Sequence, residues 1–506
     1  MGKVASHSHK EMNEDLIRVG RLNLPIELPT FDAEFLQWKR EFWAKKLKAE
    51  NIKYVVAPMV DQSELAFRMM MKNHNAHLSY TPMIHAQLFV TNLTYRRTAF
   101  ESCKADRPLI VQFCANDAKT FLDACRLVED VCDGVDLNLG CPQIVAKKGQ
   151  YGSFLQEKQE LIAEMVSAVY RHCRLPLSVK IRVLDDLDAT IRYAQTCEAA
   201  GASMIAIHGR TREQRGVNTG VADWQKIRAV CERLRVPTIA NGNIQMPGDV
   251  EKCLELTGAT AVMSAEGLLS NPALFDGKIL PSYDLAAEYV DFAEKYEAGT
   301  SSLRAHVFRI CHYSLLEFGD LRDRVSYAFS YDEFRAIVDE IRQRCETNQT
   351  DGLAYLTGDE TTLNEQVAKI PHWFSKPYIR PAKIETGESE YRRKRHEEME
   401  KIQQETGLSL KQIRKRERRR LDLKKLHSAR PDYPPCRKCN QPAGLSCQQR
   451  MCRRCCKWLC TRRNYTCSSH QNCGASLQKR RITFAAAQSL TMEELMAGKF
   501  EIPFEF

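Results

Sequence analysis

The sequence predicts an α/β fold, a (β/α)8 barrel followed by a C-terminal helical domain and a basic, cysteine-rich tail. Eight short apolar segments between residues 54 and 264 have the composition of buried parallel strands. Stretches of helical periodicity separate most of these segments, as in repeated βα units. The first segment is not followed by Gly-x-Gly-x-x-Gly, which would favour an open, doubly wound sheet. These observations favour a closed TIM barrel.

The elements follow in chain order. An N-terminal extension over 1–52 contains one predicted amphipathic helix at Ala33–Leu47. The predicted strands are Tyr54–Pro58, His77–Thr81, Leu109–Ala115, Val135–Leu139, Leu177–Arg182, Met204–His208, Thr238–Asn241 and Ala261–Ser264. Helices are predicted between them at Asp117–Val131, Lys158–Cys173, Ala189–Ala200, Trp224–Leu234 and Pro247–Thr257. The predicted domains are a barrel over 53–280, a helical domain over 281–346, a linker and a basic charged helix over 347–435, a metal-binding module over 436–473 and a tail over 474–506.

Composition places the chain among proteins of reducing compartments. Its 506 residues are 43% hydrophobic, enough for several cored domains. Eleven of the 20 cysteines are scattered over 1–345 and nine lie within 436–473, which is not the pattern of a disulfide framework. The sequence contains no secretory signal and no apolar run of membrane-spanning length. We therefore expect a protein of the cytoplasm, the nucleus or both, with no membrane partner.

Positive charge is concentrated in the C-terminal part. Residues 376–481 contain 29 Lys and Arg against 10 Asp and Glu, a net charge of +19. The whole chain carries +10, so the other residues carry a net charge of −9. A concentrated basic segment favours a polyanionic partner, with nucleic acid the first candidate, although a solvated charged helix without a partner is also common.

Polar or glycine-rich residues follow nearly every predicted strand, and barrel enzymes carry their chemistry on these loops. Any one of them could be an ordinary turn residue, but the full series favours a site. The series comprises Pro58-Met59-Val60, Gln112, Asn138 with Cys141, Lys180 with Arg182, His208-Gly209-Arg210, Asn241-Gly242-Asn243 and Ala265-Glu266. Because this fold often holds a phosphate after strands 7 and 8, we expect a phosphate-bearing cofactor across the barrel mouth. Lys180 and His208 would face its ring system.

Cys141 lies just past the end of a predicted strand. Gly134–Leu139 alternates in polarity, and Gly140-Cys141-Pro142 breaks the pattern sharply. The following glycines predict a loop until about Phe154. A lone intracellular cysteine is usually a small buried hydrophobic residue, but this thiol stands among the other polar strand ends.

These motifs resemble the successive signatures of the tRNA-dihydrouridine synthases. The resemblance covers about 53–275 and rests on Ala57-Pro58-Met59-Val60-Asp61, Val111-Gln112-Phe113, Asp136-Leu137-Asn138-Leu139-Gly140-Cys141-Pro142, Val179-Lys180-Ile181-Arg182, His208-Gly209-Arg210-Thr211 and Ala240-Asn241-Gly242-Asn243. Pro58–Glu64, Ser264–Gly267 and the cysteine-rich tail are most similar to the eukaryotic branch. That resemblance implies an NADPH- or NADH-dependent flavoprotein, an oxidoreductase that reduces uridines 16 and 17 in the D-loop of tRNA.

The resemblance also implies roles for individual residues. Cys141 would be the proton donor, and Asn138 would contact the uracil edge. FMN would be bound by Pro58, Met59, Val60, Gln112, Lys180, His208, Asn241, Gly242 and Asn243. Further contacts to tRNA are expected from Lys147, Lys148 and Tyr151, and weaker ones from Arg304, His306 and Arg309. Arg182 and Arg210 could contact a phosphate or a base, or could equally pair with a barrel carboxylate.

One position departs from the family pattern. Ala265-Glu266 stands where the family usually has Gly-Arg beside the FMN phosphate. Either Glu266 points away and backbone amides hold the phosphate, or the contact is lost.

The C-terminal cysteines predict a zinc module. Their spacing contains two Cys-x2-Cys pairs and a Cys-x2-His pair within 38 residues. Eight ligands would hold two structural zinc ions, namely Cys436, Cys439, Cys447, Cys452, Cys455, Cys456, Cys467 and His470, with Cys460 and Cys473 as alternates. Basic residues interleaved with the cysteines predict RNA contact, and a protein partner of the module remains open.

Two other functions are compatible with parts of this pattern. A flavin barrel could reduce a free pyrimidine in the manner of dihydroorotate dehydrogenase, but a small metabolite requires neither a basic tail nor a zinc module. A non-catalytic RNA-binding protein could retain the barrel, but it would not require Cys141, Lys180 and His208 together.

Overall fold

The computed structural model describes residues 16–17, 19, 24, 27–345 and 349–380, and in the C-terminal part 403, 434–439, 441, 443–444, 447–463, 466–467, 470 and 472–473. The chain divides into two compact units, Met1–Ile384 and Glu385–Phe506. The described helices include none with the length and apolar character that crossing a membrane requires.

Eight parallel strands close into a barrel, which confirms the predicted fold class and the order of its strands. Each pairs with its neighbours in sequence, and the eighth pairs with the first through Val262 opposite Tyr54. A short ninth strand, Ile84–His85, runs parallel to the end of the third. The barrel strands are β1 (Tyr54–Val56), β2 (Leu78–Tyr80), β3 (Leu109–Cys114), β4 (Gly134–Leu139), β5 (Leu177–Arg182), β6 (Met204–His208), β7 (Thr238–Asn241) and β8 (Ala261–Ser264).

Helices surround the barrel, and aspartates begin several of them. The carboxylates of Asp117, Asp186 and Asp223 each accept a backbone N–H in the first turn of the following helix, at 2.6–2.9 Å. The helices of the barrel region are Leu65–Asn73, Ala86–Thr91, Leu93–Ala99, Ala118–Leu127, Ile144–Gly149, Gln159–His172, Leu187–Ala200, Trp224–Cys231, Asp249–Thr257 and Glu266–Ser270.

The predicted N-terminal helix is present as Ala33–Ala49 and packs against the barrel. Its Trp43 is fully buried, and its Lys39 ammonium donates to the carbonyls of Val169, Tyr170 and Cys173 at 2.5–3.1 Å. These carbonyls end a barrel helix, where a cation is stabilising. The helix therefore has a structural role.

Two segments contain more regular structure than the sequence predicted. The loop expected to continue from Pro142 to Phe154 includes a helix at Ile144–Gly149, because proline restricts only itself and the residue before it. The stretch expected to be a linker contains a 3-10 turn at Gly352–Tyr355 and a helix at Leu363–Lys369.

The predicted helical domain is present and is joined to the barrel by buried polar contacts. Glu64 of the barrel accepts from the Tyr289 hydroxyl at 2.7 Å and lies 3.1 Å from Nε2 of the fully buried His306. The expected contact of His306 with tRNA is therefore wrong, because the imidazole is enclosed. The helices of the helical domain are Ser282–Lys295, Thr300–Ile310, His312–Glu317, Gly319–Tyr327 and Tyr331–Arg344.

The second unit contains the helix Arg453–Arg463 and a small antiparallel pair of strands, Thr466–Cys467 and Asn472–Cys473. The basic charged helix predicted within 388–426 and the tail over 474–506 lie outside the described residues, apart from residue 403.

Candidate active site

Cys141 lies on a fixed turn directly after β4. Its N–H donates to Oδ1 of Asn138 at 2.9 Å, and its carbonyl accepts from the N–H and Oγ of Ser153 at 3.1 and 2.9 Å. Gly152 has φ of +66°, and a Cβ there would lie 2.7 Å from the Cys141 carbonyl oxygen. Only glycine fits this left-handed position without moving that carbonyl. The turn therefore holds the thiol in a defined place at the carboxyl end of the barrel.

The environment of Cys141 keeps its sulfur protonated. Burial raises the pKa of the half-buried thiol above its usual 9.0, although the backbone of Gln143 and the charges of Arg182 and Lys180 oppose the rise. A thiol with such a pKa carries its proton at neutral pH and suits the role of an acid better than that of a nucleophile.

Beside Cys141 lies an apolar cluster that includes Cys114 and Tyr151. Burial raises the pKa of the Cys114 thiol to about 12. Tyr151 is 5% exposed, so the expectation that it closes over a substrate is wrong. Its side chain packs instead in this cluster with Cys114 and Ala146.

A buried hydrogen-bond network connects this turn to the neighbouring strands. Asn138 Nδ2 donates to Oε1 of Gln112 at 2.7 Å, and Gln112 Nε2 donates to Asp136 at 2.8 Å. Ser178 donates to the other carboxylate oxygen of Asp136 at 2.6 Å. Burial raises the pKa of Asp136 to about 7, although the hydrogen bonds from Ser178 and Gln112 oppose the rise. Gln112 and Asn138 therefore orient each other, and Asn138 also orients Cys141.

Lys180 and Asn241 meet across the barrel mouth, with Nζ 2.9 Å from Oδ1. Asn241 Nδ2 donates in turn to the carbonyl of Met263 on β8 at 2.8 Å. Burial and the charge of Arg182 lower the pKa of Lys180 to about 8. Lys180 is thus a cation at neutral pH, fixed in position by a side chain from β7.

His208 ends β6 and is neutral. Burial, followed by the charges of Lys180, Arg182 and Arg210, lowers the pKa of His208 well below its usual 6.5. Its Nε2 lies 3.2 Å from Nη1 of Arg210, so this ring nitrogen accepts a hydrogen bond. Gly242 packs against the ring, where a Cβ would lie 3.0 Å from Cδ2 of His208.

A cavity of ≈ 250 Å³ opens beside these residues, over the carboxyl ends of β5 to β8. It is strongly cationic, since four arginines and one carboxylate are the charged groups among its described lining residues: Arg182, Arg210, Arg215, Arg380 and Glu266. The predicted residues His208, Asn241, Gly242, Asn243 and Ala265 also line it. The cavity suits an anion.

Glu266 does not stand unpaired in this cavity. Its carboxylate accepts from Nη2 of Arg380 at 2.5 Å and lies 3.6 Å from Arg309. Nothing in the sequence around residue 380 indicated this contact, because the residue lies in the stretch expected to be a linker. The one signal in the sequence was the negative charge of Glu266 at an expected phosphate site, which indicates that a cation from a distant part of the chain must pair with it.

The two arginines expected to contact substrate hold loops in this structure. Arg182 donates to the carbonyls of Gly140 and Thr211, both at 2.8 Å. Arg210 donates to Oδ1 of Asn243 at 2.6 Å and to the carbonyl of Gly220 at 3.0 Å. Their contacts with tRNA stay predictions.

The other predicted residues lie on two elements of the rim, and among them Met59 is buried. Lys147 and Lys148 are exposed on the short helix after Cys141. Pro58, Met59 and Val60 lie in the turn after β1. There the N–H of Met59 donates to Oγ of Ser63 at 3.0 Å, and Val60 is exposed.

In the second unit, the eight predicted metal ligands form two groups of four. Cys436, Cys439, Cys452 and Cys455 form one, and Cys447, Cys456, Cys467 and His470 form the other. Within each group, all ligand atoms lie within 4.8 Å of one another. The groups interleave along the chain, so closing either one fixes the path of the other.

The fold and the site together define a barrel enzyme with a protonated thiol and an anion-binding cavity at the carboxyl ends of its strands. The family model described as dihydrouridine synthase (Dus) matches residues 55–343. The chain belongs to the dihydrouridine synthase family.

Curated relatives match half of the chain or more. A tRNA-dihydrouridine(16/17) synthase [NAD(P)(+)]-like protein of Mus musculus is 40% identical over 85% of this chain and 89% of its own length. The tRNA-dihydrouridine(16/17) synthase [NAD(P)(+)] of Saccharomyces cerevisiae is 39% identical over 66% of this chain and 85% of its own length. A tRNA-dihydrouridine(20a/20b) synthase [NAD(P)+]-like protein of Homo sapiens is 40% identical over 50% of this chain and 79% of its own length.

Proposed function

We propose that this protein reduces uridine to 5,6-dihydrouridine at positions 16 and 17 of tRNA, with FMN as its cofactor and NADPH or NADH as its reductant. The names of the mouse and yeast relatives support both the tRNA positions and the nicotinamide reductant. The observation that carries the proposal is the juxtaposition of a protonated thiol, Cys141, with Lys180, His208 and Asn241 at one end of a closed barrel.

The residues at the barrel mouth fit FMN. Its phosphate monoester needs a cationic pocket, which the arginine-lined cavity provides. Gly242, with φ of +113°, leaves open a space beside His208 that a Cβ would fill. Lys180 and Asn241 offer a fixed cation and an amide to the polar edge of a flavin, with Gln112 and Met59 farther around the rim. The donor set therefore matches the charge and polarity of this cofactor.

When bound, FMN supplies the hydride that C6 of uracil accepts. Cys141 holds the proton that C5 then needs: the S–H bond breaks, a C5–H bond forms, and solvent later reprotonates the sulfur. Asn138 and Ser153 keep the sulfur in place during this transfer. Lys180 would provide a fixed positive charge that stabilises the electron-rich ring of the reduced flavin.

The target nucleotide must leave its stack to reach this site. A D-loop uridine lies outside regular helix, so its extrusion costs little. Lys147 and Lys148 are exposed on the short helix that follows Cys141 and suit contact with the phosphates on either side of the extruded base.

Replacing the thiol tests the proposal. In Cys141→Ala, we expect wild-type FMN content and wild-type flavin reduction by NADPH, but a loss of dihydrouridine formation of about 10²-fold or more. The dihydrouridine content of a tRNA transcript, measured by mass spectrometry, provides the readout. Cys231→Ala, at the end of a helix outside the barrel mouth, is the matched control and should retain activity. Wild-type turnover in Cys141→Ala would remove the thiol from the mechanism.

The same assay separates the alternatives. Reduction of free uracil or orotate at a rate comparable to tRNA would favour a metabolite enzyme. Failure of the purified protein to bind any flavin would favour a non-catalytic RNA-binding protein.

We also propose that the second unit binds two structural zinc ions. Tetrahedral zinc with Zn–S bonds of about 2.3 Å places thiolate pairs about 3.8 Å apart. The Sγ atoms of Cys439 and Cys452 lie 3.6 Å apart, and Sγ of Cys467 lies 3.7 Å from Nδ1 of His470. So short a segment has little apolar core, so the metal would supply most of its folding free energy.

Metal analysis of variants tests the two-site arrangement. The wild-type chain should contain about two zinc ions and Cys436→Ser about one. Cys460→Ser is the control, because Sγ of Cys460 lies 3.9 Å from Sγ of Cys456 but outside both groups of four. Loss of zinc from Cys460→Ser, with retention in Cys436→Ser, would contradict the assignment.

A further inference from the structure

The segment after the helical domain brings a guanidinium to the cavity at the barrel mouth. The hydroxyl of Ser375 donates to Oδ1 of Asn271 and its N–H donates to the carbonyl of Leu280, each at 2.9 Å. The N–H of Ile379 donates to the hydroxyl of Tyr313 at 3.2 Å. The segment is therefore attached to both the barrel and the helical domain immediately before Arg380.

Arg380 lines the cavity over β7 and β8, next to Arg210. The two arginines are near enough to interact: burial, followed by the charge of Arg380, lowers the pKa of Arg210 to about 10. Arginine side chains that line one cavity repel each other, and an anion bound between them removes this repulsion. The cavity therefore has the features of a binding site for a doubly charged group.

Glu266 explains how Arg380 is kept in place. One N–H of Arg380 donates to this carboxylate at 2.5 Å, and a guanidinium has five N–H donors in a planar fork. Within the described part of the chain, Glu266 is the only partner of this guanidinium, which leaves its other donors for a second anion. Arg309, 3.6 Å from the other oxygen of Glu266, offsets part of the negative charge of this carboxylate.

We propose that Arg380, oriented by Glu266, binds the phosphate monoester of the flavin cofactor. This inference rests on the proposed function, because it requires that FMN occupy the barrel mouth. It assigns retention of the cofactor to a residue outside 55–343, the part of the chain that the family model matches. Glu266 acts as a positioning residue. The sequence suggested that its carboxylate would repel the phosphate, but in this assignment the carboxylate holds Arg380, whose positive charge attracts the phosphate.

Comparing FMN with riboflavin tests the assignment, because riboflavin has the same ring system and no phosphate. The full-length apoprotein is titrated with each flavin, and the quenching of flavin fluorescence gives each Kd. In Arg380→Ala, we expect the Kd for FMN to rise about 10- to 100-fold, as for loss of a charge-assisted hydrogen bond, while the Kd for riboflavin stays unchanged. Arg342→Ala, which removes a surface arginine paired with Asp284, is the control.

Each outcome has a distinct meaning. An unchanged ratio of the two Kd values in Arg380→Ala would overturn the assignment of Arg380 while leaving the proposed function intact. Absence of FMN binding by the wild-type chain would instead overturn the proposed function. Equal weakening of FMN and riboflavin would show that Arg380 shapes the cavity without contacting the phosphate, and would also overturn the assignment.

Variants of Glu266 test its positioning role. Glu266→Ala should weaken FMN binding several-fold because Arg380 loses its anchor. Glu266→Gln retains an acceptor oxygen and should restore affinity to near the wild-type value. If Glu266→Ala binds FMN as the wild type does, Glu266 does not orient Arg380.

Discussion

Removing the side chain of Asn138 should loosen the turn that carries Cys141 while leaving the barrel closed. In Asn138→Ala, the N–H groups of Gly140 and Cys141 lose an acceptor at 3.2 and 2.9 Å, and Oε1 of Gln112 loses a donor at 2.7 Å. At about 1 kcal/mol for each hydrogen bond, the free energy of unfolding should fall by about 3 kcal/mol. The thiol should also become more accessible, since its N–H anchor is gone.

Two assays measure these effects. Urea unfolding gives the change in stability, and mass spectrometry of the peptide that contains residue 141 gives the rate of alkylation by iodoacetamide. Asn116→Ala is the control, because this exposed amide donates one hydrogen bond, to the carbonyl of Gly149 at 2.9 Å. It should cost no more than about 1 kcal/mol. If Asn138→Ala matches this control in both stability and alkylation rate, Asn138 does not hold the turn.

Three further predictions concern the same elements. Gly152→Ala should lower the free energy of unfolding by about 1–2 kcal/mol and reduce turnover, because the φ of +66° and the nearby Cys141 carbonyl both oppose a Cβ. Urea unfolding and dihydrouridine analysis measure the two effects, and wild-type values would contradict the described turn. Because burial raises the pKa of Cys141 above its usual 9.0, the rate of its alkylation by iodoacetamide should rise only above pH 9, and a rise centred below pH 8 would contradict a buried thiol acid. Burial opposes protonation of His74, but hydrogen bonds to Glu288 and Asp276 outweigh it and raise its pKa above 6.5, so its stabilisation is complete below pH 6.5 and lost as the pH rises through the folded value. His74→Asn should flatten this part of the stability profile in urea titrations, whereas an unchanged slope would remove His74 as its source.

The barrel could be predicted from the sequence because its strands are buried on both sides. Segments such as Leu177–Arg182 are short, have an apolar residue at every second position and are bounded by turn residues, and the structure has this strand with the predicted limits. The same holds for Met204–His208. The eight residues of the two Cys/His groups could also be predicted, since short Cys-x2-Cys spacing restricts which residues can meet. Their division into two groups could not, because it depends on how distant pairs fold together.

The errors lie where tertiary contacts decide the local structure. Residues 349–380 contain glycine, threonine and proline and show no clear periodicity, so the sequence indicated a linker. The segment is ordered because Lys376 is buried against the carbonyls of Val367 and Ile370, and because Ile279 and Phe374 pack in one apolar cluster. Arg380 was missed for the same reason: its partner, Glu266, is more than a hundred residues away.

In the proposed mechanism, the Cys141 thiol delivers a proton to C5 of a uracil held at the barrel mouth. Single-turnover reoxidation of prereduced, FMN-loaded enzyme by a tRNA transcript tests it most directly. We predict rapid reoxidation in the wild type and, in Cys141→Ala, reoxidation slower by about 10²-fold or more at equal tRNA affinity. Equal single-turnover rates in the two proteins would contradict the account.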